Sequence, residues 1–377
     1  MKKYLFSSLI VGLFALGFAA SDEPDKTDTP DQGPQTDIPA DSQATPNPDL
    51  GGAPTTSMPN IQYTVVAEGN DLVFRIDMTG IQDPKTLEWI KLIGTSEIGQ
   101  NFWIEIDGDP KGVRIYNSIE DNSHTVPVDL VFLVDNSSSM SQEADAVARD
   151  IIDWSNKLAE RGLDIKFACV GYDGAINGAI DFTTNDLLSE WLNKSTGRYR
   201  TRGFGGDNAD YLKADTQYYR TGGGDANECG MAALRYADEK FTFRTGANRI
   251  YVNFTDEPNQ INGKSQFSVE TLKDNWETSQ GTIHTVFSED KYYDRNECNR
   301  LMSEYTGGTY IYTDSRFTGV TLDSLPVTDA MQNSYIIRIT NILKYIDGQP
   351  HELHITIKSP DGSVKVERWF TVLITRD

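Results

Sequence analysis

Apolar residues form an alternating series of strand-like and helix-like segments through the middle of the chain. The run VDLVFLV at residues 128–134 is unbroken, and apolar side chains then recur at helical spacing over 144–158. Further strands are predicted in DIKFACVGY, GAIDFTT, RIYVNFT, TIHTVFS and TYIYT, and further helices in NDLLSEWLNK, ECGMAALRYADEKF, SVETLKDNWETSQ and DRNECNRLMSEYTGG. Apolar strands that alternate with helices are typical of a sheet covered on both faces, so residues 127–330 are predicted to form a doubly wound, mostly parallel α/β domain.

Both flanks of this region have a period of two instead. IQYTVVAEGNDLVFRIDM, NFWIEIDGDPKGVRIYN and the two C-terminal runs HELHITIK and SVKVERWFTVLI read as strands joined by turns at Gly69-Asn70-Asp71, Asp109-Pro110 and 359–362. An isolated hairpin is marginal in water. The flanks, residues 60–126 and 331–377, are therefore expected to pair into one β-sandwich with the α/β domain inserted in it.

The N-terminus has the pattern of an exported protein. Residues 1–20 have a basic start, an apolar core and small residues at the end, which is typical of a secretory signal peptide. Ser21 stands where a lipoprotein-like signal would have its cysteine, so release is expected and a lipid anchor is not. Residues 21–59 are rich in Pro and Asp and are expected to be a disordered acidic linker. The predicted location is secreted, periplasmic or on the cell surface.

Charge and cysteine content narrow the function classes. The formal net charge is −22, which argues against nucleic acid or an anionic membrane as a partner because both require a basic face. Beyond the signal peptide no transmembrane segment is predicted. The three cysteines leave at least one free thiol. Cys169 is expected in the core, while Cys229 and Cys298 either pair or are also buried thiols.

A cluster of oxygen-bearing side chains follows the first strand of the α/β domain. Asp135 ends that strand, and Ser137 and Ser139 alternate behind it. Ligands of doubly wound sheets bind beyond the carboxyl ends of the strands. A turn can aim these oxygens at one point, where hard oxygen ligands suit Mg²⁺ or a similar cation and the absence of sulfur and imidazole disfavours zinc.

The stretch Asp135-Asn136-Ser137-Ser138-Ser139 resembles the D-x-S-x-S motif that begins the metal-ion-dependent adhesion site of the von Willebrand factor A family. The resemblance spans 128–330 and implies Mg²⁺ (or Ca²⁺/Mn²⁺) as cofactor. Most members supply a threonine from a second loop, whereas integrin β-type members supply an acid. Here that loop is TGGGDANECGMAAL, which offers Glu228 or, failing that, Asp225. The family's last ligand position corresponds to Asp256 in RIYVNFTDEP. Integrin β chains also resemble the insertion plan.

A Tyr-, Arg- and Gly-rich insertion precedes the second metal loop. Aromatic residues and arginines are the usual anchors of protein interfaces. This segment is expected to contact a protein partner, and its local positive charge favours an acidic one. The residues expected to do so are Arg198, Arg200, Arg202, Tyr218, Tyr219 and Arg220.

These features favour a metal-dependent adhesion or protein-binding module. The alternative is a structural or assembly subunit of a surface complex whose metal site stabilises the fold. A metal-dependent hydrolase is less favoured, and the protein is not expected to be an enzyme. The chain has four histidines, none close in sequence to the metal motifs, and neither G-x-S-x-G nor H-E-x-x-H.

Overall fold

The part of the chain that the structure describes contains one mostly parallel sheet and two antiparallel sheets, together with helices. This structure is a computed structural model. It describes residues 37–117, 127–140, 143–160, 163–193, 216–222, 227–288, 296–313, 329–331 and 333–376. The predicted signal peptide, Asp225 and the three arginines Arg198, Arg200 and Arg202 lie outside the described residues.

The described strands and helices have the following bounds. The strands are β1 Ile61–Glu68, β2 Asp71–Met78, β3 Phe102–Ile106, β4 Asp109–Pro110, β5 Val113–Asn117, β6 Val128–Asp135, β7 Ile165–Tyr172, β8 Ile176–Thr183, β9 Asn248–Thr255, β10 Thr282–Phe287, β11 Tyr310–Tyr312, β12 Tyr335–Ile339, β13 Pro350–Lys358 and β14 Lys365–Leu373. The helices are α1 Glu143–Glu160, α2 Asn185–Asn193, α3 Gly230–Lys240, α4 Thr271–Asn275 and α5 Arg300–Thr306.

The six-stranded sheet has the order β11-β10-β9-β6-β7-β8. All neighbours are parallel except β7 and β8, which are antiparallel. Every residue of the central strand β6 is buried. Separate apolar cores lie on its two faces, one built with α1 and α2 and the other with α3. The doubly wound, mostly parallel fold predicted from the sequence is confirmed.

The two antiparallel sheets form a sandwich from both flanks of the chain. Their orders are β1-β2-β12-β5 and β14-β13-β3-β4. Strand β12 from the C-terminal flank lies between β2 and β5 from the N-terminal flank, and β13 pairs with β3. A single apolar core fills the space between the sheets. The predicted insertion of the α/β domain in a β-sandwich is therefore confirmed, because that domain lies between β5 and β12 in sequence.

Residues 37–59, which we name the N-terminal strap, depart from the expected disordered linker. Three apolar residues of the strap are buried, namely Ile38, Leu50 and Met58. Asp41 forms an ion pair with the buried Lys111, and Asn47 donates through its side chain to the carbonyl of His354 at 3.1 Å. A few well-spaced anchors thus hold a segment whose composition is too polar to form a core of its own.

Two further expectations are corrected or resolved. The helix predicted over 268–280 is only the five-residue α4, because the chain becomes extended at Trp276, whose indole donates to the carbonyl of Gly281 at 2.8 Å. All three cysteines are free and buried, so no disulfide joins Cys229 to Cys298. In the described ranges, no helix combines the length and apolar character needed to cross a membrane.

Candidate metal centre

The site lies at the carboxyl end of the parallel sheet, where β6 and β9 finish side by side. The register pairs Val134 of β6 with Phe254 of β9, which brings Asp135 beside the last residue of β9, Thr255. Asp256 follows directly. Beyond β6 the turn is fixed by the backbone of Asn136, whose N–H donates to the carbonyl of Tyr172 at 2.8 Å. Parallel pairing therefore carries two distant acids to one edge of the sheet.

Three carboxylates converge above this edge. Asp135, Glu228 and Asp256 each offer one oxygen, and these oxygens all lie within 4.8 Å of one another. Asp135 is fully buried and Glu228 is 5% exposed, whereas Asp256 is half-buried. The structure thus brings together the three acids of the sequence motif from three separate loops.

The two serines complete the ring of oxygens. The hydroxyls of Ser137 and Ser139 lie 2.9 Å apart, and Ser139 donates to the Oδ1 atom of Asp256 at 3.2 Å. The backbone N–H of Ser137 donates to the Oδ1 atom of Asp135 at 2.9 Å, which closes the turn behind the strand. Ser137 is buried and Ser139 is exposed, so the ring is open to solvent on the Ser139 side.

Burial raises the pKa of all three acids, and the charges of neighbouring carboxylates add to this effect. For Asp135 burial comes first and the charge of Asp256 second, and for Glu228 burial comes first and the charges of Asp135 and Asp256 follow. Burial also raises the pKa of Asp256 to about 6. Three clustered carboxylates disfavour their charged forms, and a bound cation would remove that penalty.

Glu228 supplies the observation that fits this donor set to a cation. Its Oε2 atom is buried and has no hydrogen-bond partner among the described residues. A buried polar atom without a partner is costly, so an unexplained one indicates an absent ion or water. Opposite ligands of an octahedral Mg²⁺ lie about 4.2 Å apart, twice the usual Mg–O distance. Oxygens within 4.8 Å of one another therefore need only small shifts to surround such an ion.

The loop before α3 determines how Glu228 is placed. Gly222 packs against the side chain of Asn227, since a Cβ on Gly222 would lie 2.3 Å from the Nδ2 atom of that residue. The carbonyl of Glu228 accepts the N–H of Gln260 at 2.6 Å, which ties this loop to the one after β9. Of the two acids the sequence offers in this loop, the structure describes Glu228 at the site, and Asp225 lies outside the described residues.

The strand order and the oxygen cluster together decide the fold type of the inserted domain. It is parallel except for one antiparallel edge strand, with a D-x-S-x-S turn at the end of the central strand and two further acids beside it. The inserted domain has the von Willebrand factor A fold.

Solved structures similar to this chain include several A-type domains. A mussel byssus protein, proximal thread matrix protein 1 with a zinc-occupied MIDAS motif, is 12% identical with a TM-score of 0.36 over 59% of this chain and 49% of its own. The vWF domain of the type V pili tip protein Mfa5 from Porphyromonas gingivalis is 12% identical with a TM-score of 0.33 over 55% of this chain and 95% of its own.

A von Willebrand factor type A protein from Catenulispora acidiphila is 11% identical with a TM-score of 0.35, over 85% of this chain and 75% of its own. The chain spans about half the length of the mussel protein it matches. No family model and no curated protein matches the sequence. All three TM-scores are below 0.4, so these likenesses carry no conclusion about function.

The residues expected to contact a partner divide into two groups where the structure describes them. Tyr218 is 57% exposed, and Arg220 is exposed with its Nε atom donating to the carbonyl of Gly222 at 2.7 Å. Tyr219 is only 2% exposed and packs edge-on against Tyr236 in the core. The expectation that Tyr219 contacts a partner is therefore wrong, because its ring belongs to the core beneath the loop.

Sequence reasoning missed a second ring of polar residues behind the site. Thr255 donates through its hydroxyl to the Oδ2 atom of Asp135 at 2.9 Å. Asn299 donates to the carbonyl of Glu257 at 2.7 Å and also contacts the buried Asn253. Thr255 and Asn253 had one sequence signal, a polar residue within the otherwise apolar strand β9, which a strand pattern alone does not distinguish from a surface position. Asn299 lies just before α5 and had no such signal.

Proposed function

We propose that this protein is an exported binding module whose A-type domain engages a protein partner through a divalent cation, with Mg²⁺ the first candidate and Ca²⁺ or Mn²⁺ the alternatives. The cation would be held by Ser137, Ser139 and Asp256 with Glu228, and Asp135 would lie directly behind them. The observation that carries the proposal is the buried Oε2 atom of Glu228, which lies in a cluster of three carboxylates and has no hydrogen-bond partner among the described residues.

The exposure of the site favours a partner over a closed structural ion. Asp135 and Glu228 close the inner side, while Ser139 is exposed and Asp256 is half-buried. An ion held in this way keeps an open coordination position that faces solvent. A partner could fill it with an oxygen of its own, preferably a carboxylate, because Mg²⁺ prefers such ligands.

Neighbouring groups would contribute the rest of the contact. Tyr218 is exposed at the edge of the site's loops, and Lys264 donates to its carbonyl at 3.2 Å. With Arg220 these residues give an acidic protein a local positive rim. Rim charges act mainly on the rate of association and on partner choice. An acidic protein surface is the partner chemistry that fits this arrangement.

The second candidate function of the bound cation is to stabilise the fold, and the repulsion among the carboxylates supports it. A cation would relieve the repulsion among three buried or half-buried acids even if no partner ever bound. The two roles separate experimentally. If chelation abolishes partner binding while the chain stays folded, the binding role stands. If chelation unfolds the domain and no partner is captured in Mg²⁺, the structural role stands.

The test begins with calorimetry of Mg²⁺ and Mn²⁺ binding to the full chain. Asp135→Ala and Ser139→Ala are expected to lower the affinity by about tenfold or more, whereas the matched control Ser138→Ala, in the same turn but outside the oxygen ring, should leave it unchanged. Capture of partners from host and bacterial surface extracts then follows in Mg²⁺ and in EDTA. Equal cation affinity in wild type and Asp135→Ala would refute the site.

A further inference from the structure

The free edge of the sandwich borders a cleft at the junction with the α/β domain. A cleft of about 710 Å³ runs between β14 and the α/β domain. Its walls include Tyr63, Arg368 and Thr371 on the sandwich side and Trp276 and Tyr305 on the other side. We name this cleft the β14 groove. Ligand sites occur preferentially at such junctions between domains.

The alternation of hydrogen bonds along the strands shows which backbone groups of β14 face the groove. The N–H of Lys358 in β13 donates to the carbonyl of Asn101, on the side of β13 that faces β3. Backbone groups of successive residues in a strand point to opposite sides, so the residues of β13 that alternate with this set direct their N–H and C=O groups toward β14. The register then assigns Val366, Arg368, Phe370 and Val372 to the bonds with β13. The N–H and C=O groups of Glu367, Trp369 and Thr371 therefore point away from the sheet.

Only the two ends of this edge are covered by described residues. At one end Thr55 of the N-terminal strap donates its N–H to the carbonyl of Lys365 at 2.7 Å. At the other end the N–H of Leu373 donates to the hydroxyl of Tyr63 at 3.2 Å. Between these two contacts no described residue hydrogen-bonds to the strand edge, which lines the groove. An open edge is a template for one more strand, and proteins usually blunt such edges with charge, proline or a bulge.

Arg368 supplies the chemical preference of the groove. Its guanidinium donates to the carbonyl of Met58 and to the side-chain oxygen of Asn60, and it forms no ion pair with any described carboxylate. Burial lowers its pKa to about 10. A guanidinium has five N–H donors, so this one can still donate to a carboxylate. A half-buried cation that lacks a counterion among the described residues favours an anionic ligand group.

The other charges of the groove do not compete for that role. Lys273 is paired with Glu270 at 3.0 Å and lies over the ring of Tyr305. Asp274 and Glu277 are exposed at the rim. Trp369, 51% exposed, adds an aromatic surface beside the strand edge. Arg368 is thus the half-buried, unpaired charge that an acidic side chain in the groove would meet.

We infer that the β14 groove binds an extended, acidic peptide segment of a partner protein, which adds as a strand to the open edge of β14 and places a carboxylate on Arg368. Backbone hydrogen bonds would supply sequence-independent affinity, and Arg368 with the aromatic walls would supply selectivity. This site is separate from the metal centre and does not depend on a cation.

The test uses a fluorescent seven-residue peptide of alternating threonine and valine with a central glutamate, titrated by anisotropy against the full chain in EDTA. Binding is expected. Thr371→Pro removes an N–H that the fold does not use, and proline is tolerated at such edge positions. It should weaken binding by at least about tenfold with an unchanged melting temperature, whereas the matched control Thr371→Val should bind like wild type.

Two peptide variants make the result independent of how the protein variants fold. N-methylation of alternate amides should abolish binding to the wild-type chain. Glutamine in place of the central glutamate should weaken binding to wild type by about tenfold but not to Arg368→Gln. The inference is overturned if the parent peptide does not bind, if the N-methylated peptide binds equally, or if Thr371→Pro has no effect. Self-association in sedimentation that Thr371→Pro abolishes would assign the groove to a second copy instead.

Discussion

At the scale of single residues, Glu228 has the strongest conflict between its charge and its surroundings. Its side chain is buried and lies near two other carboxylates, and its Oε2 atom has no hydrogen-bond partner among the described residues. Such a position is unfavourable for the free chain and favourable for an ion, since the ion supplies both the charge and the missing contact. This conflict makes Glu228 the most informative position for mutation.

Glu228→Gln should separate these two effects. The amide has nearly the same shape and carries no charge, so the cation-free chain should keep its free energy of unfolding within about 1 kcal/mol or gain slightly. Mg²⁺ affinity should fall by about tenfold or more, and the rise in melting temperature that Mg²⁺ causes should disappear. Thermal melts with and without Mg²⁺ measure both. A wild-type response to Mg²⁺ in the variant would exclude Glu228 as a ligand.

His284 predicts a pH dependence that has nothing to do with the metal. It is 9% exposed, and its Nδ1 atom accepts the N–H of Thr309 at 3.1 Å. Burial lowers the pKa of His284 to about 4. Between pH 6.5 and 4 the unfolded chain therefore binds a proton that the folded chain does not, so stability falls as the pH falls through this window.

The size of that effect can be measured with one variant. A shift from 6.5 to about 4 corresponds to about 3 kcal/mol across the whole window. His284→Gln retains an acceptor and cannot titrate, so wild type should lose about 2 kcal/mol more than the variant between pH 7 and 4.5. Urea unfolding in EDTA at both values gives this difference. Parallel losses in the two proteins would show that His284 is not the cause.

At the scale of elements, the sequence predicted the strands of the α/β domain well and the short helices poorly. The turn predicted at Asp109-Pro110 was wrong, because these residues form β4, and the strands on either side, β3 and β5, belong to different sheets. The apolar run of β6 and the acid that ends it fixed the centre of the sheet, because burial on both faces leaves a clear pattern. The length of helix α4 was overestimated because Val269, Leu272 and Trp276 repeat at helical spacing. Trp276 lies beyond the end of the helix, and its indole N–H donates to the carbonyl of Gly281. Tertiary contacts of this kind are not encoded in periodicity.

The candidate site was predictable to a similar degree. The D-x-S-x-S turn is local, and local spacing can be read directly. The position of Glu228 depends on the packing of Gly222 against Asn227, between segments joined only in the folded chain. The strap was misjudged because its few apolar anchors, such as Ile38, are diluted by polar residues, and composition averages such anchors away.

The end of α5 gives a prediction about the junction between the domains. Gly307 has a φ of 77°, and a Cβ there would lie 2.5 Å from the carbonyl oxygen of Met58 in the strap. Gly307→Ala should therefore destabilise the protein by about 2 to 3 kcal/mol, from left-handed strain plus a steric clash. Gly263→Ala is the matched control, with a φ of 79° and open space around it.

The control variant should lower the free energy of unfolding by about 1 to 2 kcal/mol, from left-handed backbone strain alone. Both variants can be compared with wild type by urea unfolding at neutral pH. The difference between them isolates the close approach of α5 to the strap. Equal destabilisation by the two substitutions would mean that the strap moves away from the added methyl group at little energetic cost and contributes little to stability.

At the scale of the whole molecule, we expect the two flanks to need each other for folding and the inserted domain to fold without them. The α/β domain has its own cores on both faces of its sheet. The sandwich lacks β12, β13 and β14 if the C-terminal flank is absent. Residues 127–330 alone should fold and bind Mg²⁺, whereas 60–126 alone should not. Cooperative thermal unfolding of the shorter piece would contradict this.

The insertion also determines how tension would pass through the protein. The chain enters the A-type domain from β5 and leaves it into β12, and these strands are antiparallel neighbours whose ends meet at the Asn117 and Tyr335 pair. A pull on the metal centre would load both tethers together. Both strands would be drawn in one direction, so the five residue pairs between β12 and β2 would be sheared at once instead of opening one after another. A domain held at two such points is expected to resist both twisting and peeling.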